Sequence, residues 1–409
     1  MDLPAGSAEI DLNAVCEFVE SRPVQQQPDW DDLEAEVAVR RDELTRRPAV
    51  VTEAQIRSLR ADLEAVARGE VLVVQAGDCA EDPVECDAAS VAAKAELVRS
   101  LGVELSRIDG RPVVHVGRIA GQFCKPRSKP VEEVDGLTLP SFRGHIVNRP
   151  EPAPEARRPD PTGLLRCHES ALSIARHLGW GSDTVERIDG PAPVWTSHEA
   201  LLLDYALGLL RTAASGGAYL GSTHWPWIGE RTRALYSAHV ALLGSVINPV
   251  ACKVGPTATP DEVVALCAAL DPDRQPGRLT LIARLGSEAG YLLPELVRSV
   301  RAAGFPVLWL CDPMHGNTFV GPTGHKTRLI SELVGEVEAF CECVDAAGGL
   351  PAGLHLETTP ADVLECVSGE EELFALGADY RTLCDPRLNR YQALEVVSGW
   401  VRRATEVAA

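Results

Sequence analysis

No apolar run in this 409-residue chain approaches the roughly 20 residues that a bilayer-spanning helix needs. The opening segment, MDLPAGSAEIDLNA, is acidic and lacks the basic and apolar regions of a secretory signal, so a soluble, cytoplasmic protein is expected. Basic residues are in deficit, 39 Lys and Arg against 59 Asp and Glu for a net charge of −20, which argues against a nucleic-acid partner. Small phosphorylated ligands stay open, because a local Arg and Lys cluster inside a cleft can override the overall field. No CxxC pair occurs, so a structural zinc site is not expected. The 12 cysteines are scattered, and those in apolar patterns (Cys252, Cys267, Cys341, Cys366) read as reduced, buried thiols. No internal repeat is visible.

Hydrophobic residues at 45% are enough for a sizeable core, and the length suits one large barrel or two smaller domains. Residues 1–68 read as a helical extension: two amphipathic stretches begin at the capping residues Asp29 and Thr52. From 69 to 409 the pattern changes to short β-rich runs alternating with longer amphipathic stretches. The strands expected are 71–75, 113–117, 193–198, 218–222, 251–255, 279–286, 307–312 and 353–357. They are nearly continuous in apolar residues, as strands buried on both faces should be. Between them lie helix patterns such as EALLLDYALGLLRTAAS and LLPELVRSVRAAG. Eight strands with helical crossovers predict an α/β fold, a (β/α)₈ TIM barrel, as the catalytic domain. An open doubly wound sheet is the alternative, but no GxGxxG follows the first strand to support it. A long polar excursion, about residues 125–165, interrupts the alternation, and such loops are usually functional or disordered.

In such barrels the chemistry sits at the C-terminal strand ends. Four residues there suit a metal: Cys79, His315, Glu357 and Asp385. A thiolate, an imidazole and two carboxylates favour Mn²⁺, Fe²⁺, Co²⁺ or Zn²⁺ over Mg²⁺ or Ca²⁺. Singly, each has a plainer reading as a buried thiol or a helix cap. A second set is cationic: Arg118, Lys125, Arg127, Arg231, Lys253, Arg284 and Lys326. Arg118, Lys253 and Arg284 lie in or just after apolar strands, where an unpaired charge is costly. Their anions would be the phosphate and carboxylate groups of a ligand.

The ordered series GDCAED, GRIAGQFCKPRS, TSHEALLLDY, WIGERTR, NPVACKVGP, DPMHGNT, GHKTR, HLE and CDPRLNR resembles the motifs of the type II 3-deoxy-D-arabino-heptulosonate 7-phosphate (DAHP) synthases, over about residues 71–397. The resemblance implies condensation of phosphoenolpyruvate with erythrose 4-phosphate, opening the shikimate pathway. It places Cys79, His315, Glu357 and Asp385 on the metal ligands, with Mn²⁺ foremost. Arg118, Glu230, Arg231, Lys253 and Arg284 fall on the phosphoenolpyruvate positions, and Lys125, Pro126, Arg127, Ser128 and Lys326 on the sugar-phosphate side. Catalytic roles fall to Lys253, Glu230 and the ligand His315. A dimer or tetramer, and association with chorismate mutase, are further implications. A metal-dependent aldolase or isomerase on the same barrel is the competing reading.

Two departures stand out. The family's RGD-x-x-NG segment appears as RGHIVNR, which puts His145 and Arg149 in a segment expected near the aldehyde and raises a modified acceptor, such as an amino-tetrose phosphate. The connection from this segment to WTSHE is short, resembling members of specialised pathways and implying weak feedback inhibition by aromatic amino acids. Cys384, beside Asp385, is expected near Cys79, where a disulfide would remove a metal ligand.

Overall fold

The computed structural model describes residues 11–134, 136–181 and 192–401. The first ten and last eight residues of the two expected domains, and part of the short connection before WTSHE, lie outside them.

Eight parallel strands close into a barrel in chain order. They are β1 Leu72–Gly77, β2 Val113–Arg118, β3 Val194–Glu199, β4 Trp225–Ile228, β5 Val250–Val254, β6 Leu279–Ala283, β7 Leu308–Cys311 and β8 Pro351–Glu357. Alternate residues of a strand face the interior. Val73, Val116, Trp195, Trp227, Ile282 and Leu310 accordingly belong to one apolar cluster inside. Two residues further along several of these strands the inward position becomes polar, which carries charge to the C-terminal mouth.

The N-terminal helices complete the barrel. The helices are α1 Leu12–Glu20, α2 Glu34–Thr45 and α3 Glu53–Ala67. Helix α3 starts at Thr52, whose side chain and Gln55 form a reciprocal capping box. Its Leu59, Leu63 and Val66 share a helical face and plug the N-terminal end of the barrel against Val73, Val114, Trp195 and Trp225. Each such burial contributes roughly 1.5–3 kcal/mol. Helix α2 lies over the crossover from β3 to β4, so closely that a Cβ on Gly208 would sit 2.9 Å from Leu44 Cβ.

That crossover corrects two expectations. Residues 218–222 are not the fourth barrel strand. Ala218–Leu220 pairs antiparallel with Leu210–Thr212, and of the long helix pattern only Leu203–Gly208 is helical. The barrel strand is Trp225–Ile228, whose Pro226 argues against a central strand because it lacks an N–H. Its ladder to β5 registers only Trp227 with Ala251 and Ile228 with Cys252, beyond the proline.

The described residues of the polar excursion carry structure of their own. Val131–Val134 and Leu137–Pro140 form a hairpin, and Glu132 on it receives both Arg127 and Arg157. No helix among the described residues is long and apolar enough to cross a membrane.

Candidate active site

Gly77 at the end of β1 is in register with Glu357 at the end of β8, so the chain leaving β1 carries Cys79 past that carboxylate. Asp385 arrives from the segment after β8. Ligand atoms of Cys79, Glu357 and Asp385 all lie within 4.8 Å of one another. His315, on the loop after β7, brings Nε2 to 3.3 Å from Glu357 Oε1. The four expected metal ligands thus converge. Asp312 takes the other ring nitrogen, with Oδ2 at 2.8 Å from His315 Nδ1, which leaves Nε2 for the cluster.

The cluster is strongly anionic. Burial alone would raise the Glu357 carboxyl, but His315, Lys125, Arg118 and Arg328 overcome it and hold it well below the usual carboxylate range. Asp385 is likewise held low against burial, chiefly by Lys125. The field draws Lys125 Nζ in, to 2.7 Å from Cys79 Sγ and 3.0 Å from both Glu357 Oε1 and Asp385 Oδ2. Burial pushes the Cys79 thiol well up, and a bound divalent cation is the agent that deprotonates such a ligand. Two ionised carboxylates, an imidazole with one free nitrogen and a thiol fit a borderline divalent ion. Cys384 packs with Cys79 and Phe142, and both cysteines are free thiols.

Beside this cluster opens a cavity of about 350 Å³ lined by Arg118, Arg231, Lys253 and Arg284. Arg118 is buried, and its Nη2 donates to Glu357 Oε1 at 3.1 Å. Lys253 Nζ lies 2.8 Å from Asp312 Oδ2. Burial lowers Lys253 below its ordinary value, and Asp312 offsets only part of that. Arg284 Nη2 donates to the His315 carbonyl at 2.6 Å, while its buried Nε has no partner among the described residues. Glu230 is already engaged, accepting from Gly255 N at 2.6 Å and pairing with Arg233 at 3.0 Å. Gly255 lets that carboxylate come close, since a Cβ would approach Glu230 Cδ to 2.8 Å and displace it.

The expected sugar-phosphate residues divide. Lys125, Pro126 and Lys326 line the cavity, with Lys326 Nζ 2.8 Å from Asp385 Oδ1. Arg127 turns to Glu132 on the hairpin and Ser128 is exposed; neither is a lining residue. His145 stacks edge-on to Phe142, with ring centroids 5.2 Å apart, and Arg149 is exposed beside Glu151. Neither residue lines the cavity.

Three site residues were missed from sequence. Asp312 clamps Lys253 and His315 together. Arg328, fully buried, donates to Glu357 Oε2 at 2.9 Å. Glu199 lines the cavity with Oε1 buried and without a partner among the described residues. Burial raises its carboxyl, although Lys253, Lys125 and Arg118 pull the other way. Gly229 packs against it so tightly that a Cβ would meet Oε1 at 2.0 Å. Glu199 and Asp312 continue the inward period of Trp195–Ser197 and Leu308–Leu310, and extending that period past the apolar run finds both.

Comparison with known proteins gives a consistent result. The class-II DAHP synthetase family matches residues 16–180 and 169–399. A probable phospho-2-dehydro-3-deoxyheptonate aldolase of Pseudomonas fluorescens is 48% identical, over 92% of this chain and 94% of that protein. The phospho-2-dehydro-3-deoxyheptonate aldolase of Streptomyces coelicolor is 40% identical, over 91% and 94%. A crystal structure of the Thermotoga maritima phospho-2-dehydro-3-deoxyheptonate aldolase (DAHP synthase) aligns with a TM-score of 0.41 at 17% identity, covering 82% of this chain and 72% of that one. With its motifs, its closed barrel and relatives matched over nearly their full length, the chain belongs to the class-II DAHP synthetase family.

Proposed function

We propose that this protein condenses phosphoenolpyruvate with erythrose 4-phosphate and water to give DAHP and phosphate, the first step of the shikimate pathway. One observation carries the reading beyond family membership. Arg118 belongs to both halves of the site, lining the cationic cavity while donating to Glu357 of the acidic cluster. An anionic substrate held by Arg118 therefore lies next to the metal ligands.

Cys79, His315, Glu357 and Asp385 would hold one divalent ion, Mn²⁺ first and otherwise Co²⁺, Fe²⁺ or Zn²⁺, which when bound polarises the aldehyde carbonyl as a Lewis acid. Arg118, Arg231, Lys253 and Arg284 take the phosphate and carboxylate of phosphoenolpyruvate and fix its orientation. Lys125 and Lys326 receive the sugar phosphate. C3 of phosphoenolpyruvate forms the new bond to the aldehyde carbon, and the electron-poor C2 takes up water. Loss of a proton from that water precedes cleavage of the C2–O bond and departure of phosphate. Glu199 is the better proton acceptor, because its Oε1 has no partner among the described residues while both Glu230 oxygens are engaged. Lys253, lowered by burial, is the group best able to give a proton to the aldehyde oxygen.

The test follows the ultraviolet absorbance of phosphoenolpyruvate on mixing Mn²⁺-loaded protein with erythrose 4-phosphate, beside an EDTA-treated control. Metal-dependent consumption with equimolar phosphate release is expected. Consumption without phosphate release, or none with folded, loaded protein, overturns the reading. His145 and Arg149, the two residues that raised a modified acceptor, do not line the cavity.

A further inference from the structure

Beneath the cavity floor the barrel interior holds a second set of polar side chains: Gln75 on β1, Ser197 on β3 and His355 on β8. All three are fully buried. Arg118 Nη1 lies 2.8 Å from His355 Nε2. An arginine has donors only, so Nε2 accepts and the ring proton sits on Nδ1. Nδ1 in turn lies 2.6 Å from Gln75 Oε1. That fixes the amide, whose Nε2 donates to Ser197 Oγ at 2.9 Å. Ser197 Oγ donates to the Gly117 carbonyl, also at 2.9 Å. The chain of donors starts on the Arg118 side chain and ends on the backbone just before it. Strand register holds the chain together, since Gln75 pairs with His355 and Arg118 with Ser197. Trp227 buttresses it, its ring perpendicular to His355 at 5.3 Å and 5.4 Å from the Arg118 guanidinium.

We infer that His355 and Gln75 are positioning residues for phosphoenolpyruvate binding, acting through Arg118. The inference rests on Arg118 being a phosphoenolpyruvate ligand. Arg118 also donates Nε to the Asp78 carbonyl and Nη2 to Glu357. Of an arginine's five donors these contacts and His355 use three, and each Nη retains one hydrogen for the substrate. His355 fixes the plane of the fork, which a carbonyl and a metal-site carboxylate alone leave free to tilt. A two-pronged match to phosphate or carboxylate depends on that plane. Gln75 keeps His355 in the one tautomer that can accept.

The test uses Mn²⁺-loaded protein, phosphoenolpyruvate titrated by calorimetry, the KM for each substrate, and a melting curve for each variant. His355→Leu removes the acceptor and is expected to weaken phosphoenolpyruvate binding about 10–100-fold. His355→Gln, which keeps an acceptor towards Arg118, should recover most of that loss. Gln75→Met frees the tautomer and should cost about tenfold, with the KM for the aldehyde changed less than about twofold. Should His355→Leu fail to fold, Gln75→Met and Ser197→Ala decide the question. Unchanged phosphoenolpyruvate affinity in folded variants, or equal loss for both substrates, overturns the inference. Wild-type protein that does not bind phosphoenolpyruvate overturns the functional reading, and the role of His355 with it.

Discussion

Asp312 Oδ2 lies 2.8 Å from Lys253 Nζ, deep in the barrel mouth, and 2.8 Å from Nδ1 of the His315 imidazole. One buried anion thus joins the cationic cavity to the proposed metal ligands. Burial would raise its carboxyl, but His315 and Lys253 hold it well below the usual range. Asp312→Asn leaves Lys253 without a buried counter-charge and replaces the carboxylate that orients His315 with a neutral amide, whose single oxygen must also serve the Met314 and His315 backbone N–H groups. Metal affinity, measured by chelator competition, should fall about 10–100-fold, and turnover should fall with it. Unchanged metal affinity would mean that Asp312 serves Lys253 alone.

Glu199 and Glu230 make opposite predictions. Glu199→Gln removes a proton acceptor and should lower kcat about 10²–10⁴-fold with little change in KM. Glu230→Gln loosens Gly255 and Arg233, so its effect should fall mainly on the KM for phosphoenolpyruvate. Because burial raises Glu199, kcat should also decline with acid at a pH above that of an ordinary carboxylate. The decline should vanish from the residual activity of Glu199→Gln. A pH profile shared by both proteins assigns the proton transfer elsewhere.

Removing the metal or one ligand should silence the site without unfolding the barrel. The acidic cluster keeps Lys125, Arg118 and Arg328 as counter-charges, so its anions are not left unpaired. Cys79→Ala should therefore melt close to wild type and bind Mn²⁺ at least about 100-fold more weakly. EDTA should abolish turnover of wild type, with Mn²⁺ restoring it. Full activity of Cys79→Ala in limiting metal would remove the thiol from the ligand set.

Much of this was legible in the sequence, for physical reasons. Strands buried on both faces are continuous apolar runs, so seven of the eight barrel strands stand out near their true places. Trp225–Ile228 did not, because it is short and contains Pro226, while the stronger β pattern beside it, Ala218–Leu220, serves an antiparallel hairpin outside the barrel sheet. Charged residues at the strand ends were conspicuous because an apolar run ends in a charge only for a reason. The partners of exposed-looking charges were not. Nothing local tells Arg127 to turn to Glu132, a pairing set by how the excursion folds back. Arg328 was hidden likewise: its neighbour Lys326 drew the eye, but Arg328 is the buried one.

Glu336 provides a pH test of the loops that carry Arg284 and His315. It lies in the helix Ile330–Ala346, and its Oε1 accepts from Leu285 N and Gly286 N at 3.1 and 2.8 Å. Its Oε2 accepts from Asn317 Nδ2 at 2.7 Å, so one carboxylate straps both loops. Burial outweighs these bonds and pushes its carboxyl up to about 7 from an ordinary 4.5. The folded protein therefore holds this proton more tightly than the unfolded chain. The resulting stabilisation is complete below about pH 4.5 and is lost as pH rises to about 7, on the order of 3 kcal/mol. Glu336→Gln keeps an acceptor for the two backbone donors and cannot ionise. Its melting temperature should match or fall below wild type at about pH 5 and exceed it at about pH 8. A difference that stays constant across this range would show that Glu336 is ionised throughout, with the strap itself offsetting its burial.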